Sequence, residues 1–276
     1  MNTSQRFTFV LTLMAFVRNS TMKPNIITLL FLSLAGMTLV FGQSRPLERQ
    51  ESREAVAFTK LGFTYSKSGQ NTRAVEVLRQ AIQLEPELAD AHYFLAATYN
   101  NIGLCTEAVE EFKEAIRIEP KWAEAYNGLG VAYNCSKLFG ESIKTLQHAI
   151  ELEPGWAQLY VNLSVTYTNH HRFQDAVEAS QKAIRLEPNL PEAYYRLGVA
   201  YGHLRKNKEA VDCFGSAIYL RPDYAEAHMD LGVIYLLLNK RAEAIELDRK
   251  LQDLNPSLAR ELFNAIHKAK ILTVSQ

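Results

Sequence analysis

Proline recurs along this chain at a fixed interval of 34 residues, and no other feature limits the possible folds as strongly. Proline has no backbone N–H and its ring clashes with the preceding helical turn, so each recurrence marks the end of a helix rather than its interior. A fixed period of this length is typical of a solenoid built from one repeated helical unit. The prolines of the series are Pro86, Pro120, Pro154, Pro188, Pro222 and Pro256.

One repeat carries a second proline, which indicates where the next helix begins. Pro191 stands three residues after Pro188. Proline is well tolerated at the first position of a helix, because the N–H that it lacks would have no intrahelical partner there. Pro188 therefore ends one helix, Pro191 begins the next, and a tight turn lies between them.

The first half of each 34-residue window contains a leucine, then a small residue, then a tyrosine three positions further on. This spacing places the leucine and the tyrosine on one face of a helix, with the small residue at its edge. The pattern predicts a helix with a close neighbour. The leucines are Leu61, Leu95, Leu129, Leu163, Leu197 and Leu231, and the tyrosines are Tyr65, Tyr99, Tyr133, Tyr167, Tyr201 and Tyr235.

The second half of each window supplies that neighbour. Alanines recur seven residues apart, as in Ala74 and Ala81 or Ala108 and Ala115, and an apolar residue and the proline follow. Small residues at this spacing share one helical face and let two helices approach closely. Each window is therefore predicted to form an antiparallel helix hairpin.

These residues resemble the tetratricopeptide repeat family, whose 34-residue pattern they match over six tandem units from Ala55 to Leu258. The resemblance implies an all-α fold, a right-handed superhelical α-solenoid of antiparallel helix hairpins with a C-terminal capping helix. The pattern is broken at a few positions. His92 and His228 replace an aromatic residue and are expected to be packed, Ser142 replaces an alanine, and Ser180 and Asp248 stand where an apolar residue is usual.

The N-terminal segment does not fit the repeat. No charged residue occurs between Lys23 and Arg45, and residues 26–41 are almost wholly apolar. This is typical of a secretory signal peptide cleaved before Gln43, and an uncleaved membrane anchor is the alternative. Met22 is a possible true start. We expect a signal peptide or anchor at 1–42, a linker and the start of the first helix at 43–54, repeats at 55–88, 89–122, 123–156, 157–190, 191–224 and 225–258, and a capping helix and tail at 259–276.

Composition and motifs argue against chemistry in this chain. Lys plus Arg equals Asp plus Glu, so bulk charge indicates no nucleic-acid partner, and a membrane is expected only if residues 26–42 remain as an anchor. No phosphate-binding loop, nucleophile motif or metal-ligand spacing occurs, so we expect no enzyme activity, no cofactor and no metal. The cysteines are expected to be free thiols, although Cys105 and Cys135 lie in adjacent repeats and could form a bridge.

The predicted function is therefore that of a protein-binding scaffold. In the family that the chain resembles, the first helices of the hairpins line a concave groove, which would hold a peptide or partner protein. We expect the protein to be exported, periplasmic or secreted. The alternative to a scaffold is a regulatory subunit of an envelope enzyme or of a secretion or glycosylation complex. The predicted groove residues are Tyr93, Asn127, Val131, Asn162, Val165, Tyr195, Arg196, Val199, Met229 and Asp230.

Overall fold

The computed structural model describes residue 50 and residues 52–274, with side chains up to residue 268. Phe58–Gln276 is one compact unit, and the packing described below is that of this unit. Within the described residues every regular element is a helix. The helices are α1 at 52–67, α2 Asn71–Leu84, α3 Ala89–Asn101, α4 Cys105–Ile118, α5 Ala123–Cys135, α6 Phe139–Leu152, α7 Ala157–Asn169, α8 Phe173–Leu186, α9 Pro191–His203, α10 Asn207–Leu220, α11 Ala225–Leu237, α12 Arg241–Leu254 and α13 Pro256–Val274.

The helices form the all-α superhelical repeat fold that the sequence predicts. Odd-numbered helices from α1 to α11 are the first helices of successive hairpins, and even-numbered helices are the second helices. α8 ends at Leu186, ahead of Pro188, and α9 begins at Pro191. The predicted signal peptide or anchor lies outside the described residues. Across 52–274, no helix combines the length and the apolar character that a membrane crossing requires.

One left-handed residue joins the two helices of each hairpin. The residue two positions before the second helix has a positive φ in every repeat, which allows the sharp reversal between antiparallel neighbours. Two of these residues are glycines, for which this conformation is unstrained. The set is Gly69, Gly103, Lys137, His171, Arg205 and Asn239.

The small residues of the first helices let the second helices approach closely. A Cβ at Gly62 would lie 2.4 Å from Leu78 Cγ, and a Cβ at Gly130 would lie 2.6 Å from Leu146 Cγ. Both leucines are fully buried. A larger residue at either glycine would displace the facing leucine or force the two helices of the hairpin apart.

The last repeat completes its core with a residue from outside the repeat. Asp248 occupies the place in α12 that Leu78 and Leu146 occupy in α2 and α6. The side chain against Gly232 of α11 is instead Leu262 of α13, whose Cδ2 lies 2.6 Å from the position of an added Cβ. Leu262 and Ile266 are buried, so α13 caps the array and also fills its final core.

Serines that break the repeat pattern are paired inside the hairpin interfaces. Ser142 donates a hydrogen bond to the Gly130 carbonyl at 2.7 Å, and the hydroxyls of Ser164 and Ser180 lie 2.7 Å apart. All three serines are fully buried. Their hydrogen bonds offset the cost of removing hydroxyl groups from water, so the fold accommodates serine where alanine or a larger apolar residue is usual.

The cysteines correct one expectation. Cys105, at the start of α4, and Cys135, at the end of α5, form a disulfide with a Cα–Cα distance of 5.9 Å, whereas free thiols were expected. The sequence placed them in adjacent repeats, and the stacking of the repeats brings these two helix ends within the range that a disulfide requires. Cys213 is free and buried, and burial raises the pKa of its thiol to about 12.

Candidate interaction groove on the first helices

The first helices form the inner surface of the array. Each of the first helices from α3 to α9 contacts the first helix of the next repeat. Within the described residues, successive second helices make no comparable contacts. Because the first helices lie closer together than the second helices, the array curves with the first helices on the inside. The predicted groove residues all lie on these helices.

The structure brings some of the predicted residues into contact across neighbouring first helices. Asn162 of α7 donates a hydrogen bond to the Asn127 side chain of α5 at 2.7 Å, and the Tyr195 hydroxyl of α9 donates to Asp230 Oδ2 of α11 at 2.8 Å. The Arg196 guanidinium lies over the Tyr195 ring, 5.0 Å from its centroid. The inner surface is therefore crossed by side-chain contacts between repeats.

Other predicted residues contribute more to packing than to a binding surface. The Tyr93 ring lies 4.5 Å from the Trp122 ring and 5.7 Å from the Phe112 ring. Met229 packs against the core around α9 to α13. Val131 is the most open of the set, at 38% exposure, and Val165 is half-buried.

Tyr195 is a predicted groove residue, but most of its side chain is buried. It is only 9% exposed, and its ring packs against Phe214 at 5.8 Å and Tyr224 at 5.0 Å. The ring points between its own repeat and the next, so only the hydroxyl reaches the inner surface. Tyr195 therefore orients Asp230 and supports the groove from beneath.

Asp230 is a partly buried carboxylate in this surface. Burial raises its pKa, and the hydrogen bond from Tyr195 and the neighbouring Arg196 guanidinium oppose that rise. The same surroundings affect Arg196, whose Nε is buried and has no hydrogen-bond partner among the described residues. Charged groups are thus held at the inner surface with incomplete pairing.

A cavity of about 380 Å³ opens beside Asp230, between α9 and α11. A missing side chain helps to create it, because Gly202 stands where the equivalent residues of the other repeats are Ser66, Asn100, Asn134, Thr168 and Leu236. A Cβ at Gly202 would meet only Ile234 Cδ1, at 3.5 Å. The cavity lining includes Val199, Gly202, His203, Asp230, Val233 and Leu237.

Of the ten predicted residues, only Val199 and Asp230 line this cavity. Sequence reasoning did not include Gly202, His203, Arg205, Ile234 or Leu237 in the groove. The signal that could have identified the cavity is Gly202 itself, since a glycine at that helical position removes a side chain that most repeats carry.

The neighbouring histidines are in aromatic contacts. The His203 ring stacks on Phe173 with centroids 4.5 Å apart, and the His170 ring lies 5.6 Å from Phe139. Across the described residues, no group of three or more His, Cys, Asp or Glu side chains could hold a metal ion. The arrangement offers apolar walls and a carboxylate acceptor, which are suited to holding a segment of polypeptide.

Several proteins of solved structure have the same architecture. A structure from the functional characterization of Pseudomonas aeruginosa pilF is 23% identical, with a TM-score of 0.64, and the alignment covers 78% of this chain and 99% of that one. The Cut9 and Hcn1 hetero-tetramer of the APC/C gives 20% identity and a TM-score of 0.69, covering 81% of this chain and 45% of that chain. A MamA structure gives 27% identity and a TM-score of 0.53, covering 63% and 94%.

Family models match most of the helical array. Models described as tetratricopeptide repeat match residues 89–121, 123–155, 191–224 and 225–258, and one described as TPR repeat matches residues 62–103 and 172–204. No curated protein matches the chain. The repeat matches, the helix hairpins and the neighbouring structures agree, and the chain belongs to the tetratricopeptide repeat family.

Proposed function

We propose that this protein is an exported, non-catalytic scaffold that binds an extended segment of a partner protein at the cavity between α9 and α11. Repeats of this family generally mediate protein–protein interactions. The observation that carries the proposal is the cavity, which places apolar walls from Val199, Val233 and Leu237 beside the Asp230 carboxylate. An apolar side chain of the partner would fill the cavity, and a backbone N–H of the partner would donate to Asp230.

Two features support the choice of this place on the inner surface. The Tyr195 hydroxyl bonds one oxygen of Asp230 and holds the carboxylate in position, which lowers the entropy lost when a partner binds. The absence of a side chain at Gly202 leaves open space at a position where the other first helices carry a side chain. If a side chain filled the space beside position 202, the site would have no room for a side chain of the partner.

The binding proposal is tested by placing a photo-crosslinking amino acid at Val199 in the cells that produce the protein. We expect an adduct with a partner protein from position 199 and none from Lys182 or Lys208, which lie on the second helices α8 and α10. Gly202→Leu should fill the cavity and abolish the adduct. Adducts only from the second-helix positions would show that the partner does not use the groove.

The disulfide supports the export proposal, because disulfides persist in oxidising compartments and are rare in the cytosol. The uncharged apolar segment at residues 26–41 is the second support. N-terminal sequencing of the native protein should find a mature chain that begins near Gln43. A product that begins at Met1 or Met22 and is recovered from the cytoplasm would contradict export.

A further inference from the structure

One repeat lacks a contact that the preceding repeats make on the outer side of the array. In repeats one to four, a long side chain in the second helix reaches the tyrosine of the following first helix. Arg79 donates to the Tyr99 hydroxyl at 2.8 Å, and Gln181 donates to the Tyr201 hydroxyl at 3.3 Å. Gln147 bonds the Tyr167 hydroxyl, and Lys113 interacts electrostatically with Tyr133.

In the fifth repeat this position is Gly215. No described residue donates a hydrogen bond to the Tyr235 hydroxyl of α11, the tyrosine that follows it. A groove of about 770 Å³ opens instead, and its lining includes Tyr194, Asp212, Gly215, Tyr219 and Tyr235. We call this the outer groove.

The fold itself does not require the glycine. A Cβ at Gly215 would have no atom within 4 Å, whereas a Cβ at Gly62 or Gly130 would collide with a buried leucine. Glycine is also unfavourable in the interior of a helix, where Gly215 lies. The absence of a side chain at this position therefore opens the groove without serving the packing of the hairpin.

The surface beside Gly215 also differs from the equivalent surface of the other repeats. Tyr219, one turn further along α10, is 86% exposed, while the equivalent residues of the other repeats are all polar or charged. An exposed aromatic ring beside an open groove is typical of an interaction site. The equivalent residues are Gln83, Arg117, Glu151, Arg185 and Asp253.

The other repeats indicate which chemical group the outer groove accepts. Tyr167 and Tyr201 each have a cation over the ring, Arg172 at 4.7 Å and Lys206 at 5.7 Å from the ring centroid, and each also has a glutamine at its hydroxyl. For Tyr99 and Tyr133, the position of the ring cation is occupied by Leu104 or Leu138. Their cation lies on the hydroxyl side instead, as Arg79 or Lys113. Each of these four tyrosines therefore has one cation.

Tyr235 already has its cation, since Lys240 lies 5.7 Å from the ring centroid. By the pattern of Tyr167 and Tyr201, the group absent at its hydroxyl is a neutral carboxamide. Asp212 is the one charged residue among those that line the outer groove. The outer groove thus combines aromatic walls, the Tyr235 hydroxyl and a single carboxylate.

We propose that the outer groove binds an uncharged, apolar segment of a partner protein that carries a glutamine. The glutamine amide donates to the Tyr235 hydroxyl as Gln181 donates to Tyr201, and the flanking apolar residues pack against Tyr194 and Tyr219. This site is formed by α9 with the turn before it, α10 and α11. It is separate from the inner cavity and does not depend on the function proposed there.

The test uses the full chain with ¹³C-labelled tyrosine and three blocked tripeptides as probes, acetyl-Leu-Gln-Leu-amide and its Glu and Lys counterparts. The Tyr235 signal is assigned by its loss in Tyr235→Phe. The glutamine peptide should shift this signal, and the charged peptides should need at least about tenfold higher concentrations, the factor expected when one polar contact is lost.

Three variants separate occupancy of the groove from effects on helix stability. Gly215→Ala improves the helix without reaching Tyr235 and should leave the affinity for the glutamine peptide unchanged. Gly215→Gln fills the outer groove from within and should lower the affinity at least about tenfold. Gln181→Gly removes the hydroxyl partner of Tyr201, and the glutamine peptide should then shift the Tyr201 signal as well.

Several outcomes would overturn the proposal. These are no shift of Tyr235 by the glutamine peptide, an equal shift in Gly215→Gln, or an equal or stronger effect of a charged peptide. Sedimentation that showed self-association of the natural chain and its loss in Gly215→Gln would identify a second copy as the occupant and would equally reject the proposed partner segment.

Discussion

His92 and His228 occupy the same place in their repeats, but only His92 has an acidic partner. His92 Nδ1 lies 2.6 Å from Glu111 Oε2, and its Nε2 lies 3.0 Å from the Pro86 carbonyl oxygen. Because a carboxylate and a carbonyl both accept hydrogen bonds, the protonated ring can donate from both nitrogens, so these contacts favour the imidazolium form. His228 Nε2 faces the Pro222 carbonyl at 2.9 Å, and its Nδ1 has no partner among the described residues. Both histidines are buried, so the expectation that they are packed is confirmed.

The His92 pair should make stability depend on pH. Burial lowers the pKa of His92, but the hydrogen bond to Glu111, the Pro86 carbonyl and nearby carboxylates outweigh it, and the net shift is upward. A raised folded-state pKa adds stability that is fully present below the unfolded value of about 6.5 and is lost as pH rises through the folded pKa. Glu111→Gln should therefore reduce the loss of stability between about pH 6 and pH 8.5.

Urea unfolding of the natural chain and the variant at the two pH values measures this effect. Glu110→Gln is the matched control, because Glu110 lies on the same helix and pairs with exposed Lys113 instead of a histidine. The same pH dependence in Glu111→Gln and in the natural chain would show that His92 does not titrate as inferred.

At the level of helices, α13 does more than cover the end of the array. Second helices normally present a large apolar residue to the small residue of the first helix, as Leu146 does to Gly130. In the last hairpin that residue is Asp248, and Leu262 of α13 takes the place against Gly232. Asn255 caps α13 by accepting hydrogen bonds from the Ser257 and Leu258 amides, which fixes where the helix starts.

Leu262→Ala should therefore behave as a core truncation and not as a surface change. We expect a loss of about 2–5 kcal/mol in the free energy of unfolding, the usual cost of removing a fully buried leucine side chain. Leu258→Ala, on the same helix but only half-buried, is the control and should cost less. Urea unfolding decides the matter, and equal small effects of both substitutions would mean that α13 is only peripheral.

Across the whole array, neighbouring repeats are joined at equivalent places by different kinds of side-chain contact. The second helix of one repeat starts beside the end of the first helix of the next repeat. This junction carries the Cys105–Cys135 disulfide, then the Phe139–His170 contact, then the Phe173–His203 stack. Because each repeat touches mainly its neighbours, each junction contributes separately to the stability of the array.

The disulfide should stabilise the array as a covalent junction. Cys135→Ser should lower the free energy of unfolding by about 2–4 kcal/mol, because the bond restricts the unfolded chain. Urea unfolding with and without reductant measures this loss, and the reductant should have no further effect on the variant. Thiol titration of the unfolded, unreduced natural chain should find only Cys213 free. Three free thiols before reduction would contradict the bridge.

Much of the fold follows directly from the repeat pattern. Equivalent residues contact equivalent neighbours in every unit. One helix hairpin, predicted from its prolines, small residues and tyrosine, therefore predicts the others. Gly62 and Gly130 illustrate this, since their place in the pattern indicates a close helix contact and the structure has one at each. The same pattern places the predicted groove residues on the first helices.

The departures from the pattern depend on contacts between residues far apart in the chain, which local spacing does not encode. Tyr195 is a groove residue by its position, but its ring packs against Phe214 and Tyr224 because the turn of the next repeat closes over it. Asp248 leaves a gap that only the docking of α13 fills. The open spaces beside Gly202 and Gly215 exist only once α11 lies against its neighbours, since a missing side chain becomes a cavity only when packed walls surround it.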